Sequence, residues 1–519
     1  MQHTSQTAQF MIRNSLWRNA DKTAVVIDGQ SYTYKKLDVL SSHLASHLAD
    51  SGVEKQDSVA ILLRNCIEYV VTDLAIMKLG AIKVPLNEML SKSDVAYMVK
   101  DSGAKAMVLH SSLLNKLDEE ELACSELKHR VEVEDMGAST ATNHSSWTNL
   151  FSSDLMSFEW QDVCPEDTAL IMYTGGTTGR PKGVVHNHGA MMINGLTHII
   201  HGEISNDEKL LLISPLPHSA GFFLQTSLLQ GATAYVQSKF DPEEALKTIS
   251  DNDITWTFMV PTMIYRILDA YNPSQHKIDC LQTLVYGAAP ITNVRLREVL
   301  DKFGPVLLQL FGQSEIPNFA TKLSKADHLN EKFIGSCGQP IITADVRISD
   351  DNGKQLAFGE VGEIIVRSPY TLSSYYNAPD KTDEVYQDEW VKTGDVGYQL
   401  DTGHVFIVDR SKDMIISGGM NVYSSEVENV VQQFPGVKQV MVIGTPHKDW
   451  GEAVCAAIVP AAEGFDEKAL IDFCKDKLAA YKVPKTIDIV EAIPLTAYGK
   501  PDKKALRVKY WGEQSRQVN

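Results

Sequence analysis

The sequence predicts an α/β protein with much parallel sheet, followed by a small α+β unit. Three observations predict it. Short β-rich runs alternate with amphipathic helical stretches through the first half of the chain. The 519 residues are too many for one compact core. Near residue 400 the pattern changes to short strands separated by Gly turns, and a new unit of about 110 residues follows.

In chain order, "TAVVIDG" and "SYTYKKL" read as a hairpin, and "DVLSSHLASHLADSG" as an amphipathic helix. "SVAILLRN", "AIKVPLN" and "KAMVLHS" are strand-like. "TALIMY" is a strand, "GVVHNH" is β-like again, and helix begins only at "GAMMINGL". "TWTFMV", "TLVYGAA" and "VLLQLFG" are further β runs, each followed by loop signals. "GEIIVRS" and "WVKTGDVGYQLDTGHVFIVDR" read as antiparallel strands with Gly turns. From "SKDMIISGGMN" onward come a helix ("SSEVENVVQQF"), two strands ("KQVMVIGTP", "EAVCAAIVP"), a helix ("DEKALIDFCKDKLA") and a basic tail. The boundary falls at Asp409–Lys412, giving units 1–409 and 410–519.

Composition excludes several classes. A formal charge of −18 argues against non-specific nucleic-acid binding, which depends on Lys and Arg at phosphates. The seven cysteines are scattered without a CxxC pair, which fits free thiols in a reducing compartment. The N-terminus shows no signal-peptide pattern, and no uncharged apolar run reaches the ~20 residues of a membrane span. A cytoplasmic protein is expected. The sequence leaves the oligomeric state open, a homodimer included.

The chemistry centres on "YTGGTTGRPKGVVHNH", Tyr173 to His188. A Walker loop needs Gly-Lys followed by Ser or Thr and then a helix. Here the lysine lies in "RPKG", and a GxGxxG fingerprint is also missing. The composition still suits a polyphosphate. Gly175, Gly176 and Gly179 let backbone N–H groups approach an anion. Thr174, Thr177 and Thr178 offer hydroxyls, and Lys182 a charge-assisted contact. A plain Gly-rich hairpin turn needs neither three threonines nor a Pro-Lys-Gly stop.

"YTGGTTGRPKGVVH" resembles the signature loop of the adenylate-forming superfamily, which includes acyl-CoA synthetases, adenylation domains and luciferases. The family pattern has Ser where this chain has Gly175. Further stretches match in the family's order. "LISPLPHSAG" resembles the segment whose histidine, here His218, lines the carboxylate pocket. "VYGAAP" (Gly287, Ala288, Ala289) resembles the adenine-facing strand end, whose small residues leave room for a flat ring. "LQLFGQSE" resembles the aromatic-Gly-x-Thr-Glu motif. The resemblance places Gln309, Phe311 and Gly312 at the nucleotide, Ser314 at the α-phosphate and Glu315 on Mg²⁺. "WVKTGDVG" places Asp395 at the ribose, and "FIVDRSKD" gives Arg410 as a second contact and Lys412 at the hinge. "PLTAYGKPDKKALR" resembles the motif carrying the catalytic lysine, here Lys500. With the metal assigned to Glu315, the histidines of His186–His188 read as the β-like exit of the loop.

The fold this implies is a large N-terminal domain of stacked sheets with helices plus a β-barrel-like subdomain, and a small mobile α+β C-terminal domain. The implied activity is two half-reactions, with ATP, coenzyme A and a small carboxylic acid as substrates and Mg²⁺ as cofactor. Lys500, His218 and Glu315 would be catalytic. Ser417, Gly418, Gly419 and Asn421 would approach the pantetheine thiol, and His218, Ser219, Ala220, Phe222, Leu310 and Ile316 would line the acid pocket. "SAGFFLQ" offers no acidic residue for an α-amino group, which favours a non-amino acid. Fatty or related aliphatic acids are preferred slightly over aryl acids. A carrier-protein pantetheine is the alternative acceptor. A luciferase-like oxygenase shares the scaffold. A binding protein would have lost Lys500 or Glu315, and a hydrolase needs a nucleophile–base pair that is not found.

Overall fold

The computed structural model describes residues 5–134, 145–147, 157–174, 180–462, 464–496 and 501–512. Two large sheets take their strands from the first 340 residues and from Ser374–Tyr375. One has eight strands. Its centre is parallel (Thr168–Thr174, Ile82–Pro85, Ser58–Leu62, Ala106–His110, His129–Val133), and Lys182–Asn187 and Ser374–Tyr375 add antiparallel at one edge. The other has nine. It is parallel from Leu307–Gln313 to Thr23–Ile27, with antiparallel strands at both edges.

Helices Ile67–Leu79 and Ser219–Gln230 are buried nearly all round, and this is how helices between two sheets read. One apolar core joins Val59 and Ile61 of the first sheet, Val70, Leu74, Phe223 and Leu224 of these helices, and Leu210, Leu212 and Trp256 of the second sheet. A third, antiparallel sheet runs over Asp345–Ser349, Gly362–Arg367, Tyr386–Gln387, Trp390–Gln399 and Val405–Arg410. The fourth, from Ile415 onward, packs its own core of Val427, Val442, Val454, Leu470 and neighbours.

Local readings are adjusted in three places. The second hairpin strand stops at Thr33, because the Thr33 side chain accepts from Lys36 N and starts a helix at Tyr34. Helix also begins earlier than "GAMMINGL". Asn187 caps Ala190 N at 2.7 Å, so His188 is already helical rather than β-like. The described part of the basic tail carries regular structure: strand Thr486–Ile489 joins the last sheet and helix Lys503–Trp511 buries Leu506 against it. Among the described residues no helix is long and apolar enough to cross a membrane.

Candidate active site

Strands Thr168–Thr174 and Lys182–Asn187 are antiparallel neighbours, with Thr174 opposite Lys182. The Gly/Thr loop therefore joins two neighbouring strands of one sheet. Gly175, Gly176, Thr177 and Thr178 lie outside the described residues. Gly183 has no room for a side chain, since a Cβ would stand 2.8 Å from Ile171 Cγ2. The Lys182 ammonium sits 3.9 Å from the Tyr375 ring centroid.

Tyr375 links the loop to a second motif. Its hydroxyl donates to Glu315 Oε1 at 2.7 Å, while burial and the Glu315 charge push its own pKa up. Glu315 and Ser314 occupy the tip of the hairpin formed by Leu307–Gln313 and Ile316–Leu323, where Gln313 pairs with Ile316. The tip is pinned from outside. Leu372 N donates to Glu315 O at 2.8 Å, and His186 Nε2 donates to Ser314 O at 2.8 Å. His186 is fully buried, which pushes its pKa down to about 4 and keeps it neutral. The hairpin also explains Gly312: a Cβ there would lie 2.5–2.6 Å from Asn318 and Ile316 backbone atoms.

From the hairpin the line continues to the third sheet. Gln313 Nε2 donates to Thr393 O at 2.8 Å and to Asp395 Oδ2 at 2.7 Å. Asp395 is buried, pairs in register with Arg410, and meets its Nε at 3.1 Å. Burial, reinforced by Arg410, lowers the Lys412 pKa. The next residue, Asp413, is held 2.8 Å from Arg507 of the last helix. Ser417–Asn421 forms a tight hairpin, with Ser417 opposite Met420 and both Gly418 and Gly419 at positive φ (59° and 79°). That backbone is the geometry of a two-residue turn, so the two glycines are required by the hairpin itself.

The remaining predicted residues divide into two groups. His218 stands at the start of helix Ser219–Gln230, and His218 and Phe222 line a cavity between this helix, helix Ile67–Leu79 and strand Ile82–Pro85. Ala220, Leu310 and Ile316 are buried in the main core and do not line this cavity, and the Ser219 carbonyl accepts from Asn318 Nδ2 at 3.4 Å. Gly287 is small because Leu310 lies against it: a Cβ would be 2.6 Å from Leu310 Cδ1. Ala288 holds a φ of +68°, rare for a residue with a side chain. Gln309 Oε1 accepts from Tyr286 OH at 3.3 Å, and Phe311 is buried. Lys500 lies outside the described residues.

Sequence reasoning missed Tyr375 and Gln313, and also the polar groups of the cavity, Asp73, Lys83, Gln225 and His188. Lys83 carried a signal, a charge inside the apolar run "AIKVPLN". Tyr375 lies on a two-residue strand whose partner is some 190 positions away, and no local pattern marks it. No group of three or more metal-binding side chains occurs among the described residues.

The AMP-binding enzyme family matches residues 12–376, and its C-terminal domain matches residues 426–500. The chain belongs to the AMP-binding enzyme family. A medium/long-chain fatty-acid–CoA ligase of Mycobacterium tuberculosis is 39% identical over 69% of this chain and 64% of its own, so the match spans under two thirds of that relative. A feruloyl-CoA synthase of an Amycolatopsis species is 34% identical over 94% of this chain and 96% of its own. Among solved structures, o-succinylbenzoate CoA synthetase of Bacillus subtilis in complex with its acyl-adenylate intermediate superposes with a TM-score of 0.84, at 28% identity over 96% of this chain and 97% of that one. The adenylate-forming resemblance of the signature loop and the α/β fold both hold.

Proposed function

We propose that this AMP-binding enzyme is an ATP-dependent carboxylic acid–CoA ligase. The observation that carries the reading is the unbroken line of contacts Lys182–Tyr375–Glu315 and Gln313–Asp395–Arg410. It sets a cation, a carboxylate, and a buried carboxylate paired with an exposed guanidinium along one run that touches three sheets, which suits phosphates at one end and a ribose at the other.

In the first half-reaction a carboxylate oxygen attacks the α-phosphorus of ATP, the bond to the β-phosphate breaks, and pyrophosphate leaves. Two anions must meet, so positive charge is needed at the reacting atoms. Lys182 and the loop Thr174–Thr178 take the β- and γ-phosphates, and Lys500 serves the carboxylate and α-phosphate. Ser314 faces the α-phosphate. Glu315 would hold Mg²⁺: a single anchored carboxylate suits a hard ion whose remaining ligands are phosphate oxygens and water. When bound, that ion supplies Lewis-acid charge neutralisation. Adenine lies over Gly287–Ala289 beside Gln309, Phe311 and Gly312, and Asp395 with Arg410 accepts and donates at the ribose. His218 orients the acid. The nucleophile is already ionised, so no general base is required.

In the second half-reaction the coenzyme A thiol gives up its proton to water, its sulfur bonds to the acyl carbon, the bond from that carbon to the phosphate oxygen breaks, and AMP leaves. Residues 410–519 form the unit that reorients about Lys412 between steps, exchanging Lys500 for the Ser417–Asn421 hairpin. The apolar wall around Phe222 and the fatty-acid ligase relative support a fatty or related aliphatic acid.

Pyrophosphate release across a panel of carboxylic acids, with and without coenzyme A, tests this. ATP-dependent release with some acid, and thioester formed only when coenzyme A is added, is the expected result. No ATP-dependent activation of any acid overturns it, and transfer only to a carrier-protein pantetheine replaces the acceptor.

A further inference from the structure

The cavity beside His218 is not a plain greasy slot. Its walls include Met77, Met191, Leu216 and Phe222, but a buried ion pair also lines it. Lys83 Nζ meets Asp73 Oδ2 at 2.9 Å, with only 11% and 7% of the two side chains exposed. Gln225 Nε2 donates to the same carboxylate at 3.1 Å. Lys83 has no other hydrogen-bond acceptor among the described residues; its ammonium lies 5.8 Å from the Tyr69 ring centroid. His188 also lines the cavity. It is 2% exposed, and neither ring nitrogen has a hydrogen-bond partner among the described residues.

An alkyl chain filling this space would strand these groups. Burying charges costs solvation that only good partners recover, and an unpartnered buried imidazole forfeits its hydrogen bonds with water. Both costs fall if the occupant brings an oxygen. The ion pair is already neutral in sum, so a second carboxylate would leave an uncompensated buried charge, whereas a hydroxyl or keto oxygen would not. Burial pushes the His188 pKa down to about 4, so its ring offers one donor and one acceptor near neutrality and can serve either group.

We propose that this cavity selects acids carrying a neutral oxygen substituent away from the carboxyl group, with Lys83 and His188 as its hydrogen-bonding partners and Asp73 and Gln225 positioning Lys83. The proposal rests on the ligase reading above and names its substrate class.

The test compares kcat/KM for pyrophosphate release with straight-chain acids and with their hydroxy- and keto-substituted counterparts, the substituent being walked along the chain. The wild-type protein should favour the oxygenated acid at one position by about tenfold or more. Lys83→Met combined with Asp73→Leu removes the pair without leaving a lone charge. It should bring that preference near unity. Should the double variant fail to fold, His188→Phe leaves the ion pair intact and should cut the preference several-fold. The proposal is overturned if the wild type turns over unsubstituted acids as well as every oxygenated one, if a dicarboxylate is preferred outright, or if the preference survives in the folded variant. Release with no acid at all overturns the ligase reading instead.

Discussion

Replacing Tyr375 by Phe removes one oxygen and leaves the ring under the Lys182 ammonium, 3.9 Å from its centroid. What disappears is the 2.7 Å hydrogen bond to Glu315 Oε1. Bonds to charged groups contribute about 1.5–3 kcal/mol. Glu315 is only partly buried, so water recovers some of the loss, and the lower end, about 1.5 kcal/mol, applies. That is about tenfold in an equilibrium or rate constant. Groups that orient a metal-binding carboxylate cost about 10–100-fold when removed, which agrees. The assay is ATP–pyrophosphate exchange with a turned-over acid as Mg²⁺ is varied. The Phe variant should need about tenfold more Mg²⁺ for half-maximal exchange and approach wild-type rate at saturation. Tyr375→Leu also removes the ring and should lose a further two- to fivefold or so, from a cation–π contact of about 0.5–1 kcal/mol. An unchanged Mg²⁺ dependence in the Phe variant would show that Tyr375 does not position Glu315 for metal.

Lys500→Ala should abolish acyl-adenylate formation, by about 10²–10³-fold or more, yet leave thioester formation from supplied acyl-adenylate largely intact; equal loss of both half-reactions refutes its assignment. Gly312→Ala places a Cβ 2.5 Å from the Asn318 backbone, so the hairpin tip must move. Soluble protein with reduced thermal stability and little exchange activity is expected, and wild-type behaviour would mean the hairpin is softer than its contacts imply. Buried His186, His188, His198 and His328 all have pKa values pushed down to about 4. The unfolded chain, with ordinary histidines near 6.5, takes up these protons first, so their contribution is complete above about pH 6.5 and falls as pH drops toward 4. Each costs about 2 kcal/mol by pH 5. Urea midpoints measured from about pH 7.5 to 5 should fall steeply, and a flat profile contradicts the burial of neutral imidazoles.

Much of this protein is legible locally. Strand and helix runs follow from apolar periodicity and from caps such as Asn187. The Gly/Thr loop reads as a phosphate site because its glycines and hydroxyls lie within a few consecutive residues. Motifs of that kind need no knowledge of what surrounds them. Even so, the reason for a glycine can be tertiary: Gly287 yields to Leu310, some twenty positions on, and Gly312 to the returning strand.

The sequence by itself determined the fold class, the order of the motifs and the kind of chemistry they suit, since these depend on residues close together in the chain. Only the tertiary structure decided which side chains meet. Glu315 finds Tyr375 across 60 residues, Asp73 finds Gln225 across 152, and His188 comes to line the cavity beside His218. Such pairings are set by how two sheets close over their helices, and the free energy that closes them comes from the whole apolar core and not from the paired groups.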